Sequence, residues 1–363
     1  MADVAFPAPP ETSSPLGRIM NKFVLWFTTW GFNIVLTLIG SIGYRTRMSH
    51  NNGIAGSGSL KIVEDPEFPL HPFFTAGKAF PCRVRHAAAS FRDDAMRAVR
   101  SMSIKFADHR YKSPFDLELN TGEVAVFWSV ACFMQFAKYK KTKYGIQYHE
   151  YYKKYPAGER GAYAGLRRNP TSFSNQRFFS QTPYLYDLGD GITRYAKYRV
   201  IPSEDITQSG LLDEHEMKIP AEDQRILPGE TRSRNYLKEE DERRVKQGPV
   251  RYRLQIQLRT PTAQDDQEIF NSCRIWNEVD HPWMDLARIE VDKTLSWKES
   301  TMMVFSSKQM PKGLGVIPAR SVYDYNSLNY MRKRSDIARH ARVWTIRLFG
   351  MPKGIPSDDD RNV

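Results

Sequence analysis

The sequence predicts an α+β protein: a closed antiparallel β-barrel with surrounding helices and an apolar helix near the N-terminal end. Three observations carry this. Short runs of alternating apolar and polar residues recur through most of the chain. Two stretches, 129–180 and 324–349, read instead as mixed helix and loop and as helix. One uncharged stretch, Phe23 to Tyr44, is about as long as a bilayer-spanning helix requires. Many alternating strands with no internal repeat favour closure into a barrel, which leaves no free sheet edge.

The elements follow in chain order. Residues 1–17 are rich in Pro and Ser and lack periodicity, so a disordered tail is expected, drawn to residue 21, with the apolar helix at 22–44. Lys22 precedes the apolar run and Arg45 and Arg47 follow it, as anchors at lipid headgroups would. Asn33 and the glycines Gly31, Gly40 and Gly43 fit such a helix less well. Three placements stay open: spanning a membrane, lying in its interface, or buried against the globular part. A cleavable signal peptide fits poorly, because the apolar run is long and no clear small-residue cleavage site follows it.

A single barrel domain is expected from 45 to 349, with a tail at 350–363. His50 ends Arg45-Thr-Arg-Met-Ser-His50 and precedes a glycine-spaced run to Gly58, after which a strand begins at Leu60-Lys-Ile-Val63. Cys82 to His86, Met102 to Phe106 and Phe115 to Leu119 alternate with period two. The last of these runs ends at Asn120, before Thr121-Gly122. A His and an Asn at strand ends suit a polar pair above a reactive cofactor. A second strand set comprises Thr193 to Val200, Val250 to Leu258 and Ala287 to Val291, with a charged, partly helical excursion at about 203–247.

Composition narrows the function classes. The net charge of +12 arises from 53 Lys and Arg against 41 Asp and Glu. No RNP-like strand, zinc finger or recognition helix accompanies it, so nucleic acid is not an expected partner. Some of the cations alternate with acids, as in Tyr236 to Lys246, which reads as a solvated helix face. The three cysteines, Cys82, Cys132 and Cys273, lie far apart, which argues against a disulfide framework or a zinc site and for a reducing, intracellular compartment. His86 reads as a packing or hydrogen-bonding residue on its strand, His281-Pro-Trp283 as a turn, and Met102, Met302 and Met303 as core fillers.

Several motifs together resemble the coral-type allene oxide synthases, a catalase-related haem family. They are Ile62-Val-Glu-Asp-Pro-Glu-Phe-Pro-Leu-His-Pro-Phe-Phe-Thr-Ala-Gly-Lys78, Arg83-Val-Arg-His-Ala87, Ser101 to Asp108, Asn120-Thr-Gly-Glu123, Phe127-Trp128, Gly248 to Gln257 and His281 to Ala287. The similarity covers about residues 33–343 and implies the catalase-like barrel. It implies His50 as the distal His that handles the peroxide proton and Asn120 as the distal Asn that orients the peroxide. Ser49 matches a hydroxyl residue that restrains the His and disfavours the catalase reaction. Arg47 and Arg85 match cations that pair with haem propionates, and Phe127 and Arg332 are assigned to the same cofactor site.

The family holds iron through a Tyr four residues after an Arg on a late helix, so that both share one face. No such pair occurs here. Without gaps, the pair falls on Arg332 and Asp336, whose plain reading is an i,i+4 ion pair. With a gap, Arg320 is followed by Tyr323 and Tyr325, and the gapped reading is preferred because a carboxylate lacks phenolate's donor strength. The expected function is a haem-dependent isomerase or lyase acting on a fatty-acid or lipid hydroperoxide, with membrane association open. The alternative is a haem-free scaffold that keeps the barrel. A plain catalase or peroxidase is a third reading.

Overall fold

The computed structural model describes residues 14–47, 49–89, 93–139 and 148–352. The tail expected at 1–21 therefore falls largely outside the described residues, as does 353–363. Ten strands occur among those described: β1 Asn52–Ile62, β2 Ala79–Ala88, β3 Ala98–Lys105, β4 Asp116–Thr121, β5 Leu166–Arg167, β6 Phe178–Phe179, β7 Tyr184–Leu185, β8 Tyr195–Pro202, β9 Val250–Arg259 and β10 Trp283–Leu295. Eight close a ring. Neighbours run β2–β1–β10–β9–β8–β6–β4–β3, and β3 pairs back onto β2. Every pairing in the ring is antiparallel.

Alternation sorts the two faces of this wall. Cys82 and Val84 of β2, Met102 and Ile104 of β3, and Leu117 and Leu119 of β4 join one buried apolar cluster with Tyr252, Leu254 and Ile256 of β9. Each fully buried aliphatic side chain here contributes about 1.5–3 kcal/mol. His86 continues the inward row of β2, where its Nε2 lies 3.0 Å from the Tyr252 hydroxyl and its ring stacks on Phe173. The intervening residues, Arg85, Ser101, Ser103, Glu118 and Asn120, face outward, toward the helices.

The strand β1 differs from expectation. It begins at Asn52 and includes the glycine-spaced run. The reason is steric: a Cβ on Gly53 would collide with the His86 carbonyl, and one on Gly58 with the Glu290 carbonyl. Glycine here permits close strand approach rather than a loop, and the ladder to β10 shifts register at Ser57/Gly58.

The helices are α1 Pro15–Val35, continued as a π-helix over Leu36–Gly43, then α2 Val130–Lys138, α3 Tyr148–Lys154, α4 Pro156–Gly165, α5 Tyr236–Gln247, α6 Trp297–Met302, α7 Ser327–Arg334 and α8 Asp336–Phe349. Helix α1 starts ahead of the expected Lys22. Ser14 caps it by accepting from the Gly17 N–H at 3.0 Å, and Pro15 occupies the first helical position. One side of α1 lies on the domain: Leu25 packs with Val130, Leu328 and Met331, and Phe32 meets Phe133 edge-on with ring centroids 5.6 Å apart. Helix α8 is tied to the π-helix. Ser41 Oγ donates to the Ala338 carbonyl and Thr345 Oγ1 donates to the Ser41 carbonyl, both at 2.7 Å. Arg45 donates to the carbonyls of Phe349 and Gly350 at the C-terminal end of α8.

Candidate functional site

Between the outward face of β2–β4 and the helices α1, α7 and α8 lies a cavity of about 340 Å³. Pockets of roughly 300–1,000 Å³ are typical for small ligands. The strand side supplies Arg85, Ser101, Ser103, Glu118 and Asn120. The 46–50 loop supplies Arg47, Ser49 and His50, and Phe127 borders the space. The helices supply Phe32 and Leu36, then Leu328, Met331, Arg332, Ser335, Ala338, Arg339 and Arg342.

His50 is held in the left-handed backbone region, with φ 58°. A non-glycine residue there costs on the order of 1–3 kcal/mol, and such positions cluster at functional sites. The loop before it is braced by Asn51, whose Oδ1 accepts from the Arg47 N–H at 2.6 Å while its Nδ2 donates to the Arg47 carbonyl at 2.7 Å. Ser49 Oγ lies 2.7 Å from His50 Nδ1. The Nε2 of His50 is buried without a hydrogen-bond partner. Burial, then Arg85, Arg332, Arg47 and Arg100, push this imidazole down to about 3, so it is neutral at physiological pH. Asn120 is opposite Ser101 on β3 and lines the same space.

The cavity is strongly cationic. Among the described residues, five arginines line it, against one carboxylate, Glu118. Glu118 is taken by Arg339, at 2.9 Å. Arg47 donates to the Met303 carbonyl at 2.6 Å and Arg342 donates to the Thr301 carbonyl at 2.7 Å. Arg85 reaches Ser300 Oγ at 3.3 Å and the Asn51 carbonyl at 3.2 Å, and Arg332 reaches Asn329 Oδ1 at 3.2 Å. These acceptors are neutral. Burial, followed by the field of Arg339, lowers Arg47 to about 10. Arg85 and Arg342 are pushed well below the ordinary arginine value by burial and then by Arg47.

The structure therefore gathers His50, Asn120, Arg47, Ser49, Arg85, Phe127 and Arg332 around one cavity. The expected axial donors are elsewhere. Arg320 is exposed, with its backbone N–H held by Asp324. Tyr323 is half exposed and its N–H is held by Ser321 Oγ at 3.2 Å. Tyr325 is buried in the cluster of α2–α4 and donates its hydroxyl to Glu268. Neither tyrosine lines the cavity, because both precede the first turn of α7. Asp336 does not line it either. It opens α8 and borders a separate groove with Asn33 and Lys333, its Oδ1 3.7 Å from His340 Nε2. The ion pair with Arg332 is not formed, because Ser335 breaks the helix between them.

Sequence reasoning missed Arg339 and Arg342. Their signal is the spacing Arg332, Ser335, Arg339, Arg342, which on an unbroken helix would share one face; in the structure all four line the cavity across the break at Ser335. Read without a structure, that face looks solvated.

No family model matches the chain. Over 331 residues, 89% of its length, it is 35% identical to the allene oxide synthase-lipoxygenase protein of Plexaura homomalla. This similarity over most of the chain bears out the resemblance to the catalase-related allene oxide synthases. The linolenate 9R-lipoxygenase of a Nostoc species is 29% identical over 265 residues, 69% of the chain. The chain spans about a third of the length of these two relatives, 30% of the first and 32% of the second. A fungal catalase crystal structure superposes with a TM-score of 0.60 at 17% identity, covering 85% of this chain and 62% of that one, which shows the shared barrel fold.

Proposed function

We propose that this catalase-related chain binds an oxidised fatty acid, a hydroperoxide or its direct product, in the His50–Asn120 cavity. The carboxylate sits among Arg47, Arg85, Arg332 and Arg342, and the oxidised carbon faces His50 and Asn120. One observation carries this reading: four buried or half-buried arginines surround the cavity without a carboxylate partner among the described residues. Clustered, unpaired guanidinium groups are costly, and an anion relieves the cost. Guanidinium groups also suit bidentate recognition of a carboxylate. The neutral His50, with Ser49 behind its Nδ1, presents a polar edge without adding charge. The relatives' names, a fusion of allene oxide synthase with lipoxygenase and a linolenate lipoxygenase, support a lipid of this class.

Haem is the group the resemblance implies, and the two sides of the cavity answer it differently. His50, Asn120 and the arginines suit a distal pocket and two propionates. The α7–α8 side offers Leu328, Met331, Arg332, Ser335, Ala338 and Arg339, with no Tyr, Cys or His. This donor set does not fit a phenolate-held haem. A haem-dependent isomerase or lyase is the second reading, favoured by the buried, unpartnered Nε2 of His50.

Calorimetric titration with a fatty-acid hydroperoxide, its alcohol and the methyl ester of each tests the first reading. The free acids bind and the esters bind at least about tenfold more weakly, the loss of one charge-assisted hydrogen-bond set. Equal affinity for acid and ester, or no binding, would exclude the arginine site. A Soret band in protein produced with haem supplied would favour the second reading.

A further inference from the structure

The long N-terminal helix has one face that the domain does not cover. Phe23, Phe27, Trp30, Ile34, Leu38 and Ile42 recur at three or four residues, so they form a single stripe along α1 and its π-helical continuation, and all are exposed. The opposite stripe is taken: Leu25, Thr29, Asn33 and Ser41 are buried against the domain. Helix α8 carries a second exposed stripe, Ile337, Trp344 and Leu348. The two stripes are neighbours, because Ile337 shares a groove with Trp30, Ile34 and Leu38. The Ser41–Ala338 and Thr345–Ser41 hydrogen bonds fix the two helices together.

The geometry points to a membrane-binding surface made by both helices, lying in the plane of an anionic bilayer rather than crossing it. Three observations support this occupant. Nine large apolar side chains exposed on two adjoining helices form a cluster rather than singly scattered residues, and such clusters mark interaction surfaces. The charge around it is mainly positive: no Asp or Glu occurs between residues 14 and 63, Lys22, Lys333 and Arg347 are exposed around the stripes, and Asp336 is the single carboxylate among the described residues lining the groove between them. The helix cannot be surrounded by lipid without losing its packed face, and that face includes Phe32 and Leu36, which wall the His50 cavity. The bilayer would therefore lie directly behind the cavity wall, whatever ligand the cavity holds.

Flotation of the full chain with vesicles tests this. One set is phosphatidylcholine alone and the other contains phosphatidylserine. The chain floats with the anionic vesicles and much less with the neutral ones. Phe27→Glu on α1 and Trp344→Glu on α8 each lower the bound fraction about tenfold or more, since each takes a large aromatic side chain out of the apolar phase. Leu348→Glu repeats the α8 arm independently, and all three positions are exposed, so thermal melting stays at the wild-type value. Loss on Phe27→Glu with wild-type flotation for both α8 variants would mean a single-helix anchor and would overturn the proposal. So would equal flotation on both vesicle types. Absence of flotation with self-association through these residues would overturn it too.

Discussion

The two walls of the cavity carry different chemistry. The barrel wall with its 46–50 loop presents His50, Ser49 and Asn120, with His50 Nδ1 2.7 Å from a hydroxyl and its Nε2 unpartnered. The helix wall presents arginines and aliphatic side chains where the resemblance implies a metal donor. The difference teaches that the polar pair can stay together on the barrel wall while Tyr323, Tyr325 and Asp336 lie off the cavity. The strands that fix Asn120 and Arg85 are held by the whole barrel ladder, whereas the break at Ser335 separates Arg332, which lines the cavity, from Asp336, which borders the outer groove.

The largest expected effect is all-or-none. Protein produced with haem supplied shows no tyrosinate-type Soret band, and Asp336→Tyr does not create one, because position 336 borders the outer groove. A Soret band in either would break the contrast between the walls. Next is Arg332→Leu, whose guanidinium is held only by Asn329 among the described residues. Removing it lowers affinity for the free acid by roughly ten- to a hundredfold, the worth of a hydrogen bond to a charged group, and leaves the ester unchanged. Calorimetry on both ligands checks this.

Two deeply buried histidines should contribute to the acid dependence of stability. His50 and His86 are each pushed from the ordinary 6.5 down to about 3 by burial, so the unfolded chain binds more protons than the folded one between these values. Stability is therefore unaffected by these groups above about pH 6.5 and falls as pH drops toward 3, by up to about 1.4 kcal/mol per unit for each. Denaturant midpoints across pH measure the slope, and His50→Gln removes the His50 share of it. On the barrel wall, His50→Leu should cost the hydroperoxide about fivefold in affinity, an ordinary hydrogen bond, and spare the non-oxidised acid. Ser49→Val is the smallest change, about twofold on the same ligand.

Much of the barrel was legible because period-two alternation is local. Cys82, Val84 and His86 face one way and Arg83 and Arg85 the other, whatever the rest of the chain does. His50 and Asn120 were legible as a pair through the motifs around them. Arg339 and Arg342 were not, because arginines in a helix read as solvated until another wall is placed opposite them. Tyr323 and Tyr325 misled because spacing to Arg320 assumes a helix, and α7 begins only at Ser327. The glycine run before Leu60 hid a strand, since its need for glycine lies in the carbonyls of β2 and β10 rather than in its own sequence.

A crystal structure of the chain with a bound fatty-acid hydroperoxide tests the central claim most directly. The carboxylate is expected within hydrogen-bond distance of Arg332 and at least one of Arg47, Arg85 and Arg342, with the peroxide toward His50 and Asn120. A ligand seated outside this cavity, or an iron bound by a residue of α7 or α8, would contradict it.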